Sequence, residues 1–217
     1  MKKIAVIGTG YVGLVSGAGL AEFGHEVTCI DINEEKIHKL NEGIIPIYEP
    51  GLRSLVSKNV KHKRLYFSSN FESVIRDSRI IFIAVGTPQG SEGRADLGSV
   101  SSAVNTIISN LNSYKIICTK STVPVGTGKW ISSKISEKHT NNKFDYVSNP
   151  EFLREGSAVN DFLFPDRVIV GASSSKAFKE MREVYRPLFL NKTPVMEFSV
   201  SSSEMIKYAS NSFLALK

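Results

Sequence analysis

Cysteine is scarce: Cys29 and Cys118 are the only two among 217 residues, and each lies in a short apolar, strand-like run. That excludes a disulfide framework and points to buried, reduced thiols, with neither cross-link nor nucleophile expected. Long apolar runs are missing too. None approaches the ~20 residues of a membrane-crossing helix, and the amino terminus enters a strand directly after two lysines, without a signal-type apolar region. The expected location is the cytoplasm, with no membrane partner. There is no internal repeat, low-complexity tract or flexible linker, and no metal-ligand spacing, so no metal site is expected. The four histidines, His25, His38, His62 and His139, all precede Tyr146, which leaves the later segments without one.

What is present is a core-forming composition, 41% hydrophobic, with a net charge of +6. The densest basic run, Lys58 to Arg64, has no interleaved aromatics and no nucleic-acid motif, and reads as a solvated face. No nucleic acid is expected as a partner. A positive balance suits anionic small ligands instead.

Short Ile- and Val-rich runs alternate with helical patterns. The strand candidates are Ile4–Ile7, Val27–Ile30, Ile80–Val85, Ile116–Cys118, Tyr146–Ser148, Val168–Val170 and Val195–Phe198. The helix candidates are Val12–Glu22, Glu34–Asn41, Gly51–Lys58, Val100–Leu111, Gly128–Lys138 and Lys176–Arg186. Nearly unbroken apolar strands imply burial on both faces. The fold class is therefore α/β, a doubly wound, mainly parallel, Rossmann-like sheet over residues 1–200. Residues 201–217 differ in kind. Ser201, Ser202 and Ser203 offer N-cap hydroxyls, Glu204 suits a first turn, and Met205, Ile206, Ala209, Phe213, Leu214 and Leu216 supply an apolar face. This helix reaches Lys217 without a C-cap signal, so the chain reads as a fragment holding the start of a longer helix.

The sharpest motif is Gly8–Thr9–Gly10–Tyr11–Val12–Gly13, between the first strand and a helix. Gly8 makes the tight turn, Gly10 admits a pyrophosphate, and Gly13 allows close helix–strand packing. Phosphate then sits on a helix N-terminus. Asp31, eighteen residues after Gly13, is placed for the adenine ribose hydroxyls and would repel a 2′-phosphate, favouring NAD over NADP. Lys36 partly blunts that preference. Gly17 and Gly19, inside the helix, read as tight packing against the sheet.

Other residues sit just beyond strand ends, where open α/β sheets bind ligands. Thr87 follows Ile80–Val85, while Asp96 reads as structural, capping or preceding the next helix. Ser121 and Thr122 follow the strand ending near Cys118, and Thr122 reads equally as a holder of water or cofactor and as an ordinary N-cap. Glu151 and Glu155, if helical, stand one turn apart on one face, as general bases in a crevice or as a solvated acidic face. Lys207 and Asn211, four apart, form either an oxyanion-stabilising pair or a solvent-facing one.

Together these segments resemble the amino-terminal domain of the UDP-glucose/GDP-mannose dehydrogenase family. The resemblance is carried by Gly8 to Gly13, Tyr48 to Leu52, Val85 to Pro88, Ala95 to Leu97, Ser121 to Thr127, Asn149 to Gly156, Pro165 to Val168 and Lys207 to Asn211. Asn149 to Gly156 and Pro165 to Val168 are most similar to the UDP-glucose branch, with the GDP-mannose and UDP-N-acetylmannosamine branches as alternatives. The resemblance implies NAD as cofactor, a nucleotide sugar as substrate, and a four-electron oxidation of its C6 alcohol to a uronate through a cysteine-bound thioester. It also implies a homodimer for the full-length protein.

By the same resemblance Thr122 and Asn211 hold a catalytic water, Lys207 stabilises the oxyanion, Glu151 activates water, and Glu155 lines the crevice. Gly8, Gly10, Tyr11, Val12, Gly13, Asp31, Lys36, Thr87, Ser121, Thr122 and Glu155 contact NAD. Glu151, Phe152, Leu153, Arg154, Lys207 and Asn211 contact substrate. The family's nucleophilic cysteine and second nucleotide-binding domain lie past Lys217, so this chain is expected to bind NAD without completing the oxidation. Two other readings are a one-step hydroxy-acid dehydrogenase, disfavoured by where the histidines fall, and a non-enzymatic NAD-binding module, disfavoured by Thr122, Glu151, Lys207 and Asn211 occurring together.

Overall fold

Eight short strands build one sheet in the computed structural model, which describes residues 1–140 and 143–216. Lys217, where the predicted terminal helix ends, lies outside those residues. The strands are β1 (Lys3–Ile7), β2 (Glu26–Ile30), β3 (Leu65–Ser68), β4 (Ile80–Ile83), β5 (Lys115–Thr119), β6 (Phe144–Ser148), β7 (Val168–Ala172) and β8 (Val195–Phe198). Their order is β3-β2-β1-β4-β5-β6-β7-β8. Every neighbouring pair runs parallel except β6 with β7. The expected mainly parallel, doubly wound sheet is therefore observed.

The helices are α1 (Tyr11–Glu22), α2 (Glu34–Asn41), α3 (Leu52–Lys61), α4 (Phe71–Asp77), α5 (Gly98–Asn110), α6 (Thr127–Ser136), α7 (Ala158–Leu163), α8 (Ser175–Val184) and α9 (Val200–Ala215). One face of the sheet buries Leu14 and Val15 of α1, Leu52 of α3, Phe162 of α7 and Met181 of α8. The other buries Ile75 of α4, Val104 and Ile107 of α5, and Ile131 and Ile135 of α6. Strands β4 and β5 are buried along their whole length, as burial on both faces demands. Each large apolar side chain so removed from water stabilises the fold by about 1.5–3 kcal/mol.

Gly17 packs against the sheet as expected, whereas Gly19 faces helix α7 instead. A Cβ on Gly17 would lie 2.3 Å from Cys29 Sγ, and one on Gly19 would lie 2.2 Å from the Phe162 ring. Both cysteines are buried, and burial pushes the Cys29 thiol up to about 12. The basic run spans the last turn of α3 and the link to β3, and Lys58 within it pairs with Glu22 at 2.5 Å.

Three elements escape the sequence reading: β3, α4 and α7. β3 is a short edge strand with Leu65 and Phe67 inside. α4 is seven residues long, capped by the Asn70 side chain on Ser73 N, and α7 has only six. Elements this short show too little of a repeat to declare their period.

The terminal helix also differs from expectation. Its N-cap is Ser199, whose hydroxyl accepts from Ser202 N, rather than Ser201, Ser202 or Ser203. Its buried residues are Ser203, Glu204 and Lys207, while Met205, Phe213, Leu214 and Leu216 are exposed. Polar contacts set this rotation. Glu204 accepts from Gly126 N and Gly128 N at 2.7 Å each, capping α6 from across the interface. Ser203 donates to Ser148 O at 3.2 Å, over Gly171, where a Cβ would lie 2.5 Å from Ser203 Cβ.

Candidate active site

The chain turns outward from β1 to β2 and β3, then crosses to β4 on the other side. The strand order thus reverses between β1 and β4, and ligands bind at the carboxyl ends of such a switch. The glycine turn occupies that point. Gly8 has φ +102° and its N–H donates to Ile30 O, and a Cβ there would lie 2.6 Å from Ala84 O. A Cβ on Gly13 would lie 1.9 Å from Gly8 O, whereas one on Gly10 meets nothing within 4 Å. The space above Gly10 is therefore open. No side chain caps α1, so its leading N–H groups face that opening, as binding an anion requires. The cradle fits a dinucleotide pyrophosphate.

Asp31 closes the far side. Its Oδ2 accepts from Thr9 N at 2.8 Å and Thr9 Oγ1 at 2.6 Å, and its Oδ1 accepts from Asn33 N at 3.1 Å. Burial acts to raise this carboxyl, but the hydrogen bonds from Thr9 and Asn33 and the Lys36 charge prevail and hold it below the usual aspartate range. Lys36 Nζ stands 3.4 Å from Oδ2, the partial neutralisation its spacing suggests.

A cleft of about 450 Å³ opens past the carboxyl ends of β5 and β6, and Tyr11 of the glycine turn reaches its rim at Arg154 O, 3.1 Å from the phenol oxygen. The antiparallel β6–β7 pairing brings Arg167 and Val168 to the same edge, and α9 supplies Lys207 and Asn211. Lys207 Nζ lies 3.0 Å from Glu151 Oε1, both side chains nearly buried. Glu151 Oε2 accepts from Leu153 N at 2.6 Å. Two cations approach the Phe152 ring, Lys207 Nζ at 5.1 Å and the Arg167 guanidinium at 5.5 Å from its centroid. Arg154 is held at the rim by Asp161, at 2.7 Å. An ammonium, a fixed carboxylate and an amide thus face one cleft, a set able to stabilise an oxyanion and orient water.

The structure brings Glu151, Phe152, Leu153, Arg154, Lys207 and Asn211 together around this cleft. Residues 149–154 have no regular secondary structure and a turn comes next at 155–157, so Glu151 and Glu155 do not share a helix face. The side-chain bond from Glu151 to Leu153 N offers the backbone an alternative to a helix there. Glu155 is exposed in that turn and is not among the cleft residues, although its charge reaches the Tyr11 phenol. Thr122 is no N-cap, since Gly126 precedes α6, and its carbonyl accepts from Thr87 Oγ1 at 2.9 Å. The Ser121 hydroxyl is turned inward, donating to Val85 O at 2.7 Å. Asp96 accepts from Gly98 N, immediately before α5.

Lys120 and Tyr185 also line the cleft, and sequence reasoning assigned neither a role. Lys120 is buried, donates to Asn149 Oδ1 at 3.3 Å, and burial lowers its ammonium to about 8. Its place just after β5, beside Ser121, was the available signal.

Fold and site together define a nucleotide-binding domain of a dinucleotide-dependent oxidoreductase. Residues 2–189 match the NAD binding domain of the UDP-glucose/GDP-mannose dehydrogenase family, and the chain belongs to that family. It is 54% identical to UDP-glucose 6-dehydrogenase TuaD of Bacillus subtilis, over 100% of this chain and 47% of that protein. It is 49% identical to a UDP-glucose 6-dehydrogenase of Rhizobium meliloti, over 99% of this chain and 50% of the relative. Among solved structures, a UDP-glucose dehydrogenase from Pyrobaculum islandicum superposes with a TM-score of 0.94 at 37% identity, covering 100% of this chain and 50% of that one. A GDP-mannose dehydrogenase from Pseudomonas aeruginosa gives 0.93 at 32% identity, over 99% and 50%. The chain spans about half the length of these relatives. The cofactor of the domain is NAD. No described helix is long and apolar enough to cross a membrane.

Proposed function

We propose that this chain is the NAD-binding half of an enzyme that oxidises the C6 alcohol of a nucleotide sugar to a uronate, UDP-glucose to UDP-glucuronate. The observation that carries it is the buried Lys207–Glu151 pair in a cleft beside the glycine turn. NAD, when bound, supplies the hydride acceptor. Gly8, Gly10 and Gly13 shape its seat, the backbone N–H groups of Tyr11 and Val12 meet the pyrophosphate, and Asp31 with Lys36 takes the ribose. Thr87, Ser121, Thr122 and Glu155 would complete the contacts to NAD.

Lys207 stabilises the developing oxyanion. Its ammonium has three donors, and the contact with Glu151 accounts for one. Low surrounding polarity strengthens that interaction, and a preset geometry avoids reorganisation as charge develops. Glu151 activates the hydrolytic water, which Thr122 and Asn211 hold, and Phe152, Leu153 and Arg154 bind the sugar nucleotide. Residues 1–200 form the cofactor domain and 201–217 begin the helix leading to a second, nucleotide-binding domain. The full-length protein works in the cytoplasm as a homodimer.

The test has two arms. Fluorescence titration of the chain should show NAD bound more tightly than NADP, while UDP-glucose plus NAD should give no sustained NADH. Supplied with the carboxyl-terminal half of a family member, it should form two NADH per UDP-glucose and few from GDP-mannose. One NADH per substrate, or steady turnover by the chain alone, overturns the proposal.

A further inference from the structure

Glu49 is buried, 5% exposed, and has no part in the roles above. Its carboxylate is fully engaged. Oε2 accepts from Tyr11 OH at 2.8 Å and from Gly156 N at 2.9 Å, and Oε1 accepts from Ala158 N at 2.9 Å. Arg154 O lies 3.1 Å from the same Tyr11 hydroxyl. Glu49 and the Tyr11 hydroxyl together thus join the first residue of α1 to the start of α7 and to the loop from Asn149 to Ser157 that carries Glu151 and Phe152.

We propose that Glu49 and Tyr11 form a relay that couples occupancy of the glycine turn to the order of the substrate-facing loop, making Glu49 a positioning residue. The inference rests on the assignment above of NAD to the glycine turn and of this loop to the substrate. Tyr11 opens α1, so an anion held on the leading N–H groups of that helix fixes the Tyr11 backbone and, through it, the phenol. The loop has no regular secondary structure from 149 to 157. Its order therefore depends on a few side-chain anchors, of which Glu49 takes two backbone N–H groups at once. Burial, then the hydrogen bond to Glu49, pushes the phenol up, so it remains a donor at physiological pH. Charge-assisted bonds to a buried carboxylate are the strong kind, and a carboxylate accepts all three donors where an amide would not.

A carboxylate that only caps α7 would hold Gly156 and Ala158 equally well with or without cofactor. Amide hydrogen exchange separates the two roles. In the wild-type chain, saturating NAD should slow exchange at Gly156 and Ala158 by roughly tenfold, the factor for securing one such bond. In Glu49→Gln both amides should exchange roughly tenfold faster before NAD is added, and the NAD-dependent slowing should vanish. Tyr11→Phe, which removes one oxygen and leaves both Glu49–backbone bonds, should keep the unliganded rates and also lose the NAD-dependent slowing at saturation. Retained slowing in Tyr11→Phe overturns the relay. Absence of it in the wild type, when NAD slows exchange at the amides of the first turn of α1 in the same titration, also overturns the relay while sparing the cofactor assignment. Failure of the wild type to bind NAD at all sinks both.

Discussion

Alanine at Gly10 and alanine at Gly13 should both abolish tight NAD binding but differ sharply in stability, although the two residues lie three apart in one motif. At Gly10 the backbone is extended, φ −73° and ψ −169°, and a Cβ meets nothing within 4 Å. The protein alone barely registers the change. Alanine is a poorer N-cap than glycine, costing at most about 1 kcal/mol, or about 2–4 °C in Tm for a chain of this size. The added methyl group nevertheless stands where the pyrophosphate must approach. Displacing the anion from two helix N–H groups forfeits about 3 kcal/mol or more, a weakening of NAD binding beyond roughly a hundredfold. At Gly13 the Cβ would lie 1.9 Å from Gly8 O, backbone against backbone, with no flexible end to yield. Relieving that overlap shifts the turn itself and costs about 3 kcal/mol, or about 6–12 °C, with NAD binding lost as well. Differential scanning fluorimetry and a NAD titration on both variants decide the matter. Gly10→Ala binding NAD within about twofold of wild type, or Gly13→Ala melting like wild type, would refute the reasoning.

Truncating one partner of the Lys207–Glu151 pair strands the other in a nearly dry cleft. Lys207→Met should therefore lose about 2–3 kcal/mol in urea unfolding, and a double-mutant cycle with Glu151→Gln should recover part of it as coupling. Asp31 is depressed in the folded state, so its contribution is complete above the ordinary aspartate value of 3.8 and fades as pH falls through the lower folded value. The stability gap between wild type and Asp31→Asn, followed by urea unfolding across pH, should be full at neutrality and shrink only in that acidic range. Both thiols are buried and Cys29 is pushed up to about 12. Ellman's reagent at pH 8 should label neither until denaturant is added, and rapid native labelling would contradict the packing.

Much of this was legible in the residues. The glycine turn, Asp31 and the apolar runs of the central strands carry strong local signals, because a buried parallel strand must be apolar along its length and a dinucleotide turn must lack Cβ atoms at fixed points. Edge strand β3 and the short helices α4 and α7 were not legible, since their few residues are held by neighbours rather than by their own periodicity. The helical pairing of Glu151 with Glu155 failed for a related reason. The bond from Glu151 to Leu153 N holds that segment out of a helix, and spacing alone does not reveal such a bond. The terminal helix shows the same limit. Its apolar residues suggested which side faces inward, but Glu204 reaching across to Gly126 and Gly128 sets its rotation. That contact also buries Lys207, which composition would have left in water.

A crystal structure of the chain grown with NAD tests the central claim most directly. The account predicts the pyrophosphate on the N–H groups of the first turn of α1 above Gly10, the adenosine ribose on Asp31, and the nicotinamide ring directed past Thr122 toward the cleft of Glu151 and Lys207. Cofactor seated elsewhere, or bound with its nicotinamide turned away from that cleft, would contradict it.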